Sequence, residues 1–225
     1  MEPNRKLWND GQQKLRIGLS AASPLAVKLF LTQHAMVHSK KMSRMDVWSF
    51  EDELWQGLTD GHFRAIPPKG EHSIAWILFH ITRIEDMTMN VLAADSPQLY
   101  LRDGWAKKLR SGIDHSGNRM DAEAVTQLTE KLDLPALREY RTAVGRRTRE
   151  IVKKLKAETW NQKVEPLRLQ TLLNEGAVIP QAMEIIHYWG KRTVAGLLLM
   201  PPTRHNFLHL NEAMRIKIKL TKAGY

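Results

Sequence analysis

The chain reads as all-α: a four-helix bundle with long crossover loops and extra short helices. Three observations predict this. Apolar residues recur at helical spacing in several long stretches, no run sustains the apolar/polar alternation of a half-buried strand, and capping residues stand where the periodic stretches begin. With 225 residues and no internal repeat or low-complexity segment, one domain spanning 1–225 is expected.

The elements follow in chain order. Residues 1–23 read as an irregular N-terminal arm, because Asn9-Asp10-Gly11 is a turn signal. From Pro24, the residues Leu25, Leu29, Thr32, Ala35 and Met36 keep helical period. Ser49-Phe50-Glu51-Asp52 has the form of a capping box for a short helix, which Asp60-Gly61 ends. The stretch Glu71–Leu92 is the centre of the chain. Ser73 caps it, and Ile74, Ile77, Leu78, Ile81, Ile84 and Val91 repeat with so few polar interruptions that it should be buried on most sides.

The connection 96–120 carries Ser96-Pro97, Asp103-Gly104 and Ser116-Gly117-Asn118 and reads as irregular; loops of that length are uncommon unless they cover something. Asp121 and Asp133 cap two further helices, the second reaching about Lys156. A short helix spans Pro166–Asn174. A long helix starts at Ile179-Pro180 and stops at Met200-Pro201-Pro202, and Thr203 opens a C-terminal helix and tail over 203–225.

Composition narrows the functional classes. No stretch approaches the roughly 20 apolar residues of a membrane span, and Met1 is followed by no apolar core of signal-peptide length. The absence of cysteine excludes disulfides and thiolate chemistry by the protein itself. A cytoplasmic protein is expected. The net charge of +10 is spread along Arg138–Lys156 and the tail from Arg215 to Lys222 without a nucleic-acid-binding signature, so a solvated basic face is expected and nucleic acid is not the expected partner. Exposed helix faces leave room for a homodimer.

His80 is the first candidate functional residue. It shares a helix face with Ile77, Ile84 and Met87, and a titratable ring there costs free energy unless it is hydrogen-bonded, paired or metal-bound. His34 and His38 stand at i, i+4 on another helix, beside Lys41, a poor neighbour for a cation. Glu85 and Asp86 are read as surface partners of Arg83.

Trp76–Asp86 (WILFHITRIED) and Pro180–Lys191 (PQAMEIIHYWGK), with the order and lengths of the helices, resemble the DinB-like superfamily of four-helix bundles, the DinB/YfiT type. Met200–Glu212 (MPPTRHNFLHLNE) looks like a feature of a subgroup. The resemblance implies a divalent-metal site of three histidines, one from the second helix and two at i, i+4 from the fourth. It also implies an activity among thiol-dependent transferases or metal-dependent hydrolase-like enzymes. His80 matches the second-helix ligand and His187 the first fourth-helix ligand. The remaining position falls on Lys191, whose charge repels a cation, so the triad is either broken or completed differently.

His205 and His209, at i, i+4 with Glu212 three residues on, are the candidates to complete it. Asn206 follows the first of them where a zinc protease has its glutamate base, so that reading fails. A three-histidine site suits Zn, Ni or Fe(II). Arg204 could bind an anion or a carboxylate of the protein itself. Two functions compete: a divalent-metal-dependent transferase or hydrolase acting on a small molecule, and a metal-free helical bundle for binding or assembly whose histidines are structural.

Overall fold

The computed structural model describes residues 3–222. Helices dominate. Among the described residues the only β pairing is an isolated bridge between Lys163 and Thr193, and no helix is long and apolar enough to cross a membrane. Five helices exceed ten residues: α1 (Pro3–Ser20), α2 (Ala26–Met36), α3 (Ile74–Asp86), α4 (Leu134–Lys154) and α5 (Asn206–Lys222).

α3 is the axis of the fold. Ser73 Oγ accepts from Trp76 N, as its capping role requires, and the helix runs on into a wider π-helical turn over Met87–Ala93. Every residue from Ile74 to Ala93 is buried. Its first half packs in an apolar cluster with Phe50, Leu137, Tyr140 and Leu210, and its second half in another with Leu15, Phe30, Leu172 and Trp189. α4 runs through both clusters, α5 packs in the first, and α1 gives Trp8 to the first and Leu15 and Leu19 to the second.

Four expectations are corrected. The arm 1–23 is helical over Pro3–Ser20, with Trp8, Gln12, Leu15 and Leu19 on its buried face. Gly11 is no turn: a Cβ there would lie 2.0 Å from Gln33 Nε2, so the glycine lets α1 lie close against α2. Asp60-Gly61 opens a short helix, Asp60–Arg64, which Thr59 caps. The helix expected from residue 180 to 199 is two pieces, Met183–Gly190 and Val194–Leu199. Thr193 breaks it by pairing with Lys163 and capping Gly196.

The double proline does not stop the chain's rotation either. Met200–His205 forms a π-helical turn that leads directly into α5, and Asn206 Nδ2 donates to Pro201 O in place of ladder bonds the prolines disrupt. The last long rod is therefore α5, not the segment from Pro180. Nor is the basic helix face wholly solvated: Arg141 is buried, donating to Glu51 Oε2 at 2.5 Å, Val37 O at 2.7 Å and Asn206 Oδ1 at 3.0 Å.

Candidate metal centre

The moved boundary decides which histidines meet. His80 lies midway along α3, His205 ends the π-helical turn and His209 stands in the first turn of α5. One potential ligand atom from each of the three rings falls within 4.8 Å of the others. His187 does not join them. It is exposed on Met183–Gly190, where Ile186 and Trp189 are the buried positions. Lys191 follows that helix as its C-cap, so it stands in no ligand's place. A pair at i, i+4 does come from the last long helix and the turn that leads into it, but it is His205 and His209.

The histidine rings are held by the atoms around them. His80 Nδ1 donates to Ser116 O at 2.8 Å, and His209 Nδ1 to Glu212 Oε2 at 2.9 Å. His72 Nδ1 reaches the other oxygen of Glu212 at 3.3 Å. Each bond places the proton on Nδ1 and leaves Nε2 with a free lone pair. His205 has no such partner; its Nδ1 is buried without a hydrogen bond. The rings contact one another at centroid distances of 5.1 Å for His80 with His205, 5.1 Å for His80 with His209, and 4.5 Å for His205 with His209. Trp76 stacks on His80 at 4.9 Å.

Electrostatics keep His80 and His205 neutral. Burial, then the nearby His209, pushes the His80 pKa down to about 3, and burial beside His80 and His209 holds His205 well below the usual imidazole range. Hydrogen bonds from His209 and His72 keep Glu212 far below the usual carboxylate range, hence ionised. His80 and His209, each with Nδ1 committed and Nε2 free, converge with the buried His205 into a set of imidazole donors of the kind a transition metal takes, so the residues present fit one.

The 96–120 connection does cover something. It contains two short helices, Leu99–Arg102 and Trp105–Leu109. Its end is pinned beside His80: Arg83, buried one turn along α3, donates to Asp114 O at 2.7 Å, and Ser116 N donates to Ala177 O at 3.2 Å. Gly117 takes φ +85°, and a Cβ there would come within 3.3 Å of Trp76 Nε1. This fixes the carbonyl that orients His80. That backbone partner left no mark in the side-chain pattern of the sequence.

A cleft of about 340 Å³ opens onto the site, with His80 and His205 in its lining. Ile84, Ile185, Tyr188, Trp189 and Pro201 give it apolar walls, and Asn118 and Glu184 are its other polar residues. Glu184 is held by Arg119 at 2.8 Å. Arg204 is exposed, pairs with no carboxylate among the described residues, and lines a different cleft with Gln12 and Arg16.

A second group also collects metal-ligand types: His34, His38 and Glu85, all buried. His34 Nε2 and His38 Nε2 lie 2.8 Å and 3.0 Å from the two Glu85 oxygens, which also accept from Thr148 Oγ1 at 2.8 Å and Asn206 Nδ2 at 2.9 Å. Asp86 is buried too, taking bonds from Leu99 N, Tyr100 N and Tyr140 Oη. The expectation that Glu85 and Asp86 form surface pairs is thus corrected: α3 has no surface.

Comparison with known proteins adds one match. The sequence profile described as DinB superfamily matches residues 47–213, a span that holds His80, His205 and His209. No curated protein matches the chain.

Proposed function

The chain belongs to the DinB superfamily, and on that premise we propose that His80, His205 and His209 hold one divalent transition metal (Zn, Ni or Fe(II)) in a transferase or hydrolase acting on a small molecule. One observation carries the reading. Three imidazoles converge with ligand atoms within 4.8 Å, and two of them have the second nitrogen committed to an acceptor. When bound, such a metal lowers the pKa of a water or thiol and so supplies a nucleophile at neutral pH.

The chain's own groups do the rest. Ser116 O and Glu212 fix the tautomers of His80 and His209. Trp76 holds the His80 ring plane by stacking. Ile185, Trp189 and Pro201 narrow water access to the side on which His80 and His205 face the cleft.

The competing reading is a metal-free bundle for binding or assembly. It draws support from the His34–His38–Glu85 group, which shows that this chain also buries histidines as hydrogen-bonded struts. Metal analysis of protein purified without a histidine tag separates the two. About one equivalent of a transition metal after reconstitution is expected, falling below about a tenth in His80→Ala. Less than about a tenth of an equivalent in the unmodified protein, with His80→Ala equally unstable with and without chelator, would establish the metal-free bundle.

A further inference from the structure

We propose that the cleft beside the three histidines selects an uncharged, apolar ligand body, of about the size of a phenyl or short alkyl group, attached to a metal-binding head. This rests on the metal centre proposed above and names the class of molecule it serves.

Three observations carry it. The walls that meet His80 and His205 are Ile84, Ile185, Tyr188, Trp189 and Pro201, and no cationic side chain is in the lining. Of the guanidinium groups around it, Arg119 is taken up by Glu184 and Arg192 lies over the Tyr188 ring at 3.9 Å. The lining's one carboxylate, Glu184, is compensated by Arg119, so this pair offers an anion no uncompensated cation. The volume, about 340 Å³, is at the small end of ligand sites. An anionic body would lose its hydration there and gain no partner, whereas an aromatic or alkyl body would bury against four or five apolar side chains.

Three probes with the same metal-binding head test this by titration of the metal-loaded protein: acetohydroxamate, benzohydroxamate and 4-carboxybenzohydroxamate. Acetohydroxamate reports the metal alone. The phenyl group should tighten binding roughly ten- to hundredfold, as expected from the area it buries, and the carboxylate should remove most of that gain. Ile185→Lys, at a half-buried wall position, should reverse the order of the two aromatic probes. Tyr188→Ala, less invasive still, should reduce the phenyl gain and leave acetohydroxamate unchanged. Equal affinities for all three probes, or a preference for the carboxylated one in the unmodified protein, would overturn the inference while leaving the metal centre intact.

If no metal binds, the metal centre fails, and the cleft is judged in the metal-free protein by fluorine NMR. Binding of 4-fluorobenzyl alcohol but not 4-fluorobenzoate, lost in Ile185→Lys, supports the apolar selection; no binding of the alcohol overturns it.

Discussion

Two histidine groups are linked through Asn206, which follows His205 in the chain and donates to Glu85, and they use their rings in opposite ways. In the first, His80 and His209 spend Nδ1 on fixed acceptors and keep Nε2 unbonded. In the second, His34 and His38 spend Nε2 on Glu85, and their Nδ1 atoms are buried without a partner. A cation bound to Nε2 in the second group would force the proton onto Nδ1, where no acceptor waits, at a cost of about 1–3 kcal/mol per ring. It would also displace two of the four bonds that satisfy the Glu85 charge. Residue type and proximity are alike in the two groups. The position of the proton separates a ligand set from a strut.

The sharpest way to break this comparison is to remove the carboxylate of the strut. Glu85 is fully buried and collects bonds from His34, His38, Thr148 and Asn206, tying α2, α3, α4 and α5 together. Glu85→Ala should destabilise the protein by about 3–5 kcal/mol, because several buried donors lose their acceptor at once. Denaturant unfolding should give the same loss in the presence and absence of chelator. A loss that appears only in metal-loaded protein would turn the strut into a second metal site.

The strut also shows how far the sequence could be read. His34 and His38 at i, i+4 were visible as a pair, and so was the buried character of α3. Their shared partner was not, because Glu85 is 47 residues from His38 and sits in a run, Arg83-Ile84-Glu85-Asp86, whose charges suggest a surface. Only the packing of α4 and α5 over that run reveals that it is interior. The candidate metal centre was legible in the same partial way. His80, His205 and His209 were recognisable from residue type and spacing. His187 entered through the resemblance of Pro180–Lys191 to the family's fourth helix, and the reading of Pro201-Pro202 as a helix stop left that segment standing as the last long helix before the tail. A π-helical turn through the prolines has no simple periodicity, so the entry into α5 could be placed only in three dimensions.

Acid titration tests what the two groups share, neutral rings. Burial lowers the pKa of His38 to about 3, against pull from Glu85 and with help from Arg141, and lowers His34 by the same cause, with Arg149 and Arg141 facing it. His80 and His205 are lowered as well. A base whose folded pKa lies below its unfolded value contributes full stability above the unfolded value, 6.5, and loses it as pH falls toward the folded value. Glu85, held down by its histidine partners despite burial, adds its own loss only below about 4.5. In chelator, stability should therefore fall by about 2 kcal/mol per buried ring between pH 7 and pH 5, read from denaturant midpoints. A flat profile over that range would mean that the rings titrate in the folded protein as they do in the unfolded chain, and a rise in stability that they are already charged there; either result would remove the basis of the tautomer contrast.

The smallest effect sharpens the comparison most. Glu212 touches no cleft atom and contributes little to the core; it is half-buried, and its work is to hold His209 Nδ1 at 2.9 Å while His72 steadies its other oxygen. Glu212→Gln keeps the shape but exchanges a carboxylate for a weaker, neutral acceptor. If His209 is a ligand, metal affinity should drop roughly 10- to 100-fold, the usual cost of losing a partner that orients a metal-bound histidine. Stability in chelator should change by less than about 1 kcal/mol, since a partly exposed hydrogen bond contributes little and the amide still offers an acceptor. A structural histidine would show the reverse: unchanged metal content and a loss of stability independent of any ion. The same pair of measurements on Thr148→Val, which removes one donor from Glu85, should give that reverse pattern, with stability changed and metal affinity untouched.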